Sequence, residues 1–154
     1  MKSIKNCVWT VFAFGLVACL VGACLCTKAL AKERDNIMQI AVNANGNTIV
    51  FELNDSRAAK DLFAQLPLET AVENYSSNEK IYYPPEKLET LNTPLVQSAQ
   101  SGTLAYYAPW GDVVMFYGNF GSASGLYELG HAVKGGEHIR SLSGTIRIEV
   151  SHAH

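Results

Sequence analysis

Residues 102–121 read GTLAYYAPWGDVVMFYGNFG. Two runs rich in β-branched and aromatic residues, Thr103–Tyr107 and Val113–Tyr117, flank the turn Ala108-Pro109-Trp110-Gly111-Asp112, a pattern that predicts two paired strands. Successive strand side chains point to opposite faces, so Tyr106 and Tyr107 cannot both enter one core, nor can Phe116 and Tyr117. Half of the aromatics in this stretch must therefore coat an outer face or line a groove.

Period-two patterning extends on both sides of this hairpin. Near the C-terminus, in SGTIRIEV, Ile146, Ile148 and Val150 alternate with Arg147 and Glu149, as in a strand with one wet face. The runs MQIAVN and NTIVFEL are joined through Asn45-Gly46, residues that tolerate the positive φ angles of a tight hairpin turn. Met38, Ile40 and Val42 are then expected to share a core with Ile49, Phe51 and Leu53, leaving Glu52 on the outer surface. Further strands are expected at 68–74, 80–83 and 126–131, and a loop over 84–100, where Pro84, Pro85 and Pro94 oppose regular pairing.

One helix interrupts the strands. In DSRAAKDLFAQLP the residues Ala58, Ala59, Leu62, Phe63 and Leu66 recur at three- and four-residue steps, Asp55 or Ser56 can cap the start, and Pro67 prevents continuation. A shorter helical turn is expected over 137–142. Many short strands with a helix near one end predict a mainly β domain, a closed or nearly closed barrel with helical caps.

The N-terminus addresses location. Lys2 and Lys5 precede the uncharged run Cys7–Cys26, which reads as an export signal or membrane anchor. Three processing schemes fit it. Leu16-Val17-Ala18-Cys19 and Val21-Gly22-Ala23-Cys24 resemble a lipobox, making Cys19 and Cys24 candidate lipidation sites; Ala29-Leu30-Ala31 supplies the small residues for ordinary signal cleavage; and an uncleaved anchor is about long enough to span a bilayer, which takes about 20 apolar residues. By this reading residues 1–31 are a signal peptide, lipoprotein leader or anchor, 32–36 a short polar tether, 37–151 the barrel domain and 152–154 a flexible tail. The protein is expected to be exported, held in the cell envelope by its leader or a lipid, or released to the periplasm or exterior.

All four cysteines lie in the leader, so the domain has no thiol nucleophile and no disulfide framework. A net charge of −2 without a basic stripe opposes nucleic-acid binding, which needs clustered lysine and arginine. His131, His138, His152 and His154 invite a metal reading, but two of them sit on a terminal tail, and no metal or cofactor site is expected. Glu52, Glu73 and Glu79 are carboxylates that could pair for acid–base work. No serine sits in a nucleophile-elbow pattern, and the glycines are too sparse for a phosphate loop.

The segments NTIVFELNDSRAAKDLFAQLPLETAVENY, NEKIYYPPEKL and GTLAYYAPWGDVVMFYGNFGSASGLYELGHAV resemble the cyclophilin-like domain family of bacteria and archaea over 38–150, with YYAPWGD the most specific part. The resemblance implies a closed eight-stranded cyclophilin-like β-barrel with capping helices, in a family whose members mostly lack an assigned activity. True cyclophilins carry a Phe-His-Arg motif whose arginine assists prolyl isomerisation. This chain has no such tripeptide, and its matching region offers Lys80, which lacks the planar fork of arginine. Thr103 stands where the resemblance implies an aspartate.

These readings converge on a binding module for a peptide or small molecule, in a shallow groove lined by Tyr82, Tyr107, Pro109, Trp110 and Tyr117. The alternative is an enzyme, either a divergent peptidyl-prolyl isomerase or another activity in the same groove.

Overall fold

The computed structural model describes residues 37–152. Eight antiparallel strands occur in the order β1 (Gln39–Ala44), β2 (Asn47–Leu53), β3 (Leu68–Tyr75), β4 (Glu79–Tyr82), β5 (Thr103–Tyr107), β6 (Asp112–Phe116), β7 (Leu126–Lys134) and β8 (Gly144–Ser151). They close into a barrel whose neighbours run β1-β2-β7-β5-β6-β4-β3-β8, with β8 returning to β1. Closure pairs both edges of every strand, so no open edge is left to recruit another chain. Helix α1 (Arg57–Ala64) lies between β2 and β3, and a 3₁₀ helix, Gly136–Ser141, links β7 to β8.

Local sequence explains the elements. In the β1–β2 hairpin Ala44 pairs with Asn47, and Asn45 and Gly46 take φ of 54° and 77°, both in the left-handed region that asparagine and glycine tolerate. Ser56 caps α1 by accepting a hydrogen bond from the Ala59 amide at 3.3 Å. Ala58, Ala59 and Leu62 form the buried stripe of α1, against the core.

Ile40, Val42, Ile49 and Phe51 are fully buried, Leu53 nearly so, and Met38 packs against their cluster, as the hairpin alternation predicts. Glu52 faces outward and accepts from Gln39 Nε2. Leu104, Tyr106, Val113 and Met115 complete this interior from β5 and β6.

A second cluster lies on the other face of the sheet. Ile81, Ala105, Val114 and Phe116 point away from the barrel interior and are covered by Val96, Ala99 and Leu126. Backbone bonds hold the cover down: Val96 N donates to Leu126 O at 2.9 Å, Glu128 N to Pro94 O at 2.8 Å, and Phe120 N to Ala99 O at 2.9 Å. Every residue of β4 and β6 is consequently buried, where a strand with one wet face would alternate.

The leader, with Cys19, Cys24 and the cleavage position after Ala31, lies outside the described residues, as do the tether and the last two residues. Among the described residues no helix is long and apolar enough to cross a membrane.

Candidate functional site

The β5–β6 turn builds the site. Trp110 N and Gly111 N both donate to Tyr107 O, at 3.2 and 2.8 Å, and Ala108 N donates to Gly125 O at 2.9 Å. Gly125 has φ of 81°, and a Cβ there would come within 2.9 Å of Pro109 Cδ, so glycine is required for Pro109 to lie against this backbone. The turn thus carries Trp110 over the outer face of the barrel. Its ring stands edge-on to Tyr107, centroids 5.5 Å apart, and to Tyr75 from the end of β3, 5.2 Å apart. Phe120 stacks on Phe116 at 5.6 Å with 20° between planes.

Between these two aromatic groups is a half-open cavity of about 200 Å³. Tyr75, Tyr107, Trp110, Phe116 and Phe120 supply its rings, while Val114, Ala123 and Leu126 add aliphatic wall. Two carboxyl groups line it as well, Glu79 and Asp112. A wider hollow continues from it over Ser76, Ser77, Asn78 and Asn119, so apolar wall gives way to polar shelf.

The carboxyls are unusual for their burial. Glu79 is 8% exposed and Asp112 2%, and among the described residues Asp112 Oδ1 has no hydrogen-bond partner. Burial pushes Glu79 above the usual carboxylate range, and the neighbouring Asp112 adds to the effect. Burial also raises Asp112, offset in part by its own backbone amide. Among the described residues no lysine, arginine or histidine lines the cavity to neutralise them.

Of the five residues expected in the groove, Tyr107 and Trp110 line the cavity, and Pro109 supports their turn from beside Gly125. Tyr82 does not reach it. Its position on β4 has inward parity, and its ring is wholly buried inside the barrel with an unpartnered hydroxyl whose ionisation burial opposes. Tyr117 has inward parity too: it packs against the interior cluster with the Arg140 guanidinium 5.1 Å above its ring. The two tyrosines therefore belong to the other side of the sheet. Lys80 is also internal, donating to Leu142 O, and burial lowers its pKa. Among the described residues no cluster of histidine, cysteine, aspartate and glutamate could hold a metal ion.

Tyr75, Phe120 and Asp112 escaped the sequence reading as site residues, whereas Glu79 entered it only as one of three scattered carboxylates. The available signal was strand parity, which puts Glu79 and Asp112 on the face opposite Tyr82 and Tyr106.

The sequence matches the cyclophilin-like family over residues 42–151, most of the chain, from within β1 to the end of β8. The chain belongs to the cyclophilin-like family. Its fold is similar to that of a hypothetical protein of Archaeoglobus fulgidus solved in solution, with a TM-score of 0.57 and 16% identity, the match covering 75% of this chain and 95% of that one. At that identity the likeness concerns the fold. No curated protein matches the sequence. In this cyclophilin-like barrel the cavity by Trp110 lies on the outer face of β4, β5 and β6, separated from Lys80 by the sheet itself.

Proposed function

We propose that this cyclophilin-like barrel is an exported binding module, holding a small molecule or a side chain of an extended peptide in the aromatic groove beside Trp110. One observation carries the reading. Trp110 is 50% exposed, yet it is held edge-on by two tyrosines over a preformed cavity. Rings fixed before a ligand arrives offer contact area with little entropy left to lose. The adjoining shelf at Ser76–Asn78 supplies polar groups for whatever extends beyond the cavity. Export is supported by the lysines ahead of an uncharged leader, with lipidation at Cys19 or Cys24 as the proposed means of anchoring.

Ligand-observed NMR of residues 37–154 against small molecules and short peptides tests the groove. Binding should be lost in both Trp110→Ala and Tyr107→Ala; ligands that bind both variants unchanged would move the site elsewhere. The raised carboxyls Glu79 and Asp112 favour a second reading, acid–base chemistry in the same cavity. New product resonances from a bound compound, absent with Asp112→Asn, would select that reading over simple binding.

A further inference from the structure

We propose that the cavity beside Trp110 takes a small organic cation, an alkyl- or methylammonium head group, seated among Tyr75, Tyr107 and Trp110 with Asp112 and Glu79 as its counter-charges. The proposal rests on the groove being a binding site and names the chemistry of what it binds.

Three independent features select this class. The first is the wall: aromatic faces attract cations through their quadrupoles, and a cage of rings is a recurrent receptor for ammonium groups. Tyr75, Trp110 and Tyr107 are edge-on pairs, so their planes turn sharply from one to the next instead of forming one flat platform. The second is the charge. Two carboxyls and no basic side chain among the lining residues disfavour an anion and favour a ligand of opposite charge. The third is size. About 200 Å³ is below the roughly 300–1,000 Å³ typical of sites for drug-sized ligands, so the cavity suits a head group whose remainder lies on the Ser76–Asn78 shelf.

Proton linkage follows from the same groups. The titratable residues lining the cavity are Glu79 on β4, Asp112 on β6, Tyr75 on β3 and Tyr107 on β5; Lys87, from the 84–102 segment, packs beside Gly111. A bound cation favours the ionised carboxylates, so its arrival displaces protons and its affinity rises with pH until both acids are ionised.

Trp110 is the sole tryptophan in residues 37–154 and reports on the cavity by its emission. Choline and its uncharged isostere 3,3-dimethylbutan-1-ol should be titrated against this segment, which contains all eight strands and both buried clusters. Choline is expected to bind about tenfold or more tightly than the alcohol, the order of effect that a desolvated cation–π contact supplies. Asp112→Asn should reduce that preference, and a preference unchanged in this variant would remove Asp112 as the counter-charge. Equal affinities would overturn the cation assignment and leave the groove standing. Silence of Trp110 toward both probes also overturns the assignment, and the NMR screen then decides separately whether the groove binds anything.

Discussion

Trp110, in the β5–β6 turn, and Tyr75, at the end of β3, are separated by 35 positions in sequence, yet their rings meet edge to face, 5.2 Å apart at 85°. That contact joins the β5–β6 turn to the end of β3 across the face of β4 and β6, and the cavity lies beneath it.

Half-exposure of Trp110 sets its energetic role. Trp110→Ala should cost about 1 to 2 kcal/mol, the scale of two edge-to-face contacts less what solvent returns. Phe51→Ala, in the closed interior, should cost about 3 to 5 kcal/mol. Denaturant melts of both variants make the comparison, and equal losses would show that the tryptophan is chiefly a structural cap.

Burial of Glu79 and Asp112 gives a defined pH dependence. An acid whose folded pKa is raised binds more protons folded than unfolded, so the contribution of this pair is most favourable below the ordinary values of 4.5 and 3.8 and is lost as pH rises through the raised values. Stability of the wild type minus that of Glu79→Gln/Asp112→Asn should therefore fall from pH 4 towards neutrality. A difference that rises with pH would mean that the carboxylates gain partners on folding.

Much of this fold was legible because its hairpins announce themselves. Asn45-Gly46 and the alternation around it fix the first pair, and the YYAPWGD turn fixes β5 against β6. The site was less legible for two physical reasons. Expected strands at 80–83 and 113–117 begin one residue after the observed β4 and β6, which left Glu79 and Asp112 outside the strands and without a face assigned. The cavity around them is completed by Tyr75, Phe120 and Ala123, which lie on other segments of the chain, and no local period reveals that. Tyr82 failed in the opposite way: an aromatic next to Tyr83 at a strand end gave no sign of which of the two turned inward, and Tyr82 did.

The support of the Trp110 turn can be tested through glycine. Gly46 and Gly125 both have positive φ, but only Gly125 would bring a Cβ against Pro109. Gly46→Ala should cost about 1 to 2 kcal/mol from backbone strain. Gly125→Ala should cost at least about 1 kcal/mol more, with a shifted Trp110 emission as the turn moves. Equal costs and an unshifted spectrum would show that Pro109 yields freely.

The proposed anchoring requires a thiol at one of two positions. Palmitate labelling of the full chain should survive in whichever of Cys19→Ala and Cys24→Ala keeps the modified cysteine, and vanish in the double variant. Full labelling of the double variant would end the lipoprotein reading without touching the barrel.

The central claim is that the aromatic face beside Trp110 is where this barrel binds. An amide-detected NMR titration of residues 37–154 with choline reads that directly. The account predicts saturable shifts concentrated at Tyr75, Glu79, Tyr107 to Asp112, Phe116 and Phe120. Shifts concentrated instead around Tyr117 and Arg140, on the interior side of the sheet, would contradict it.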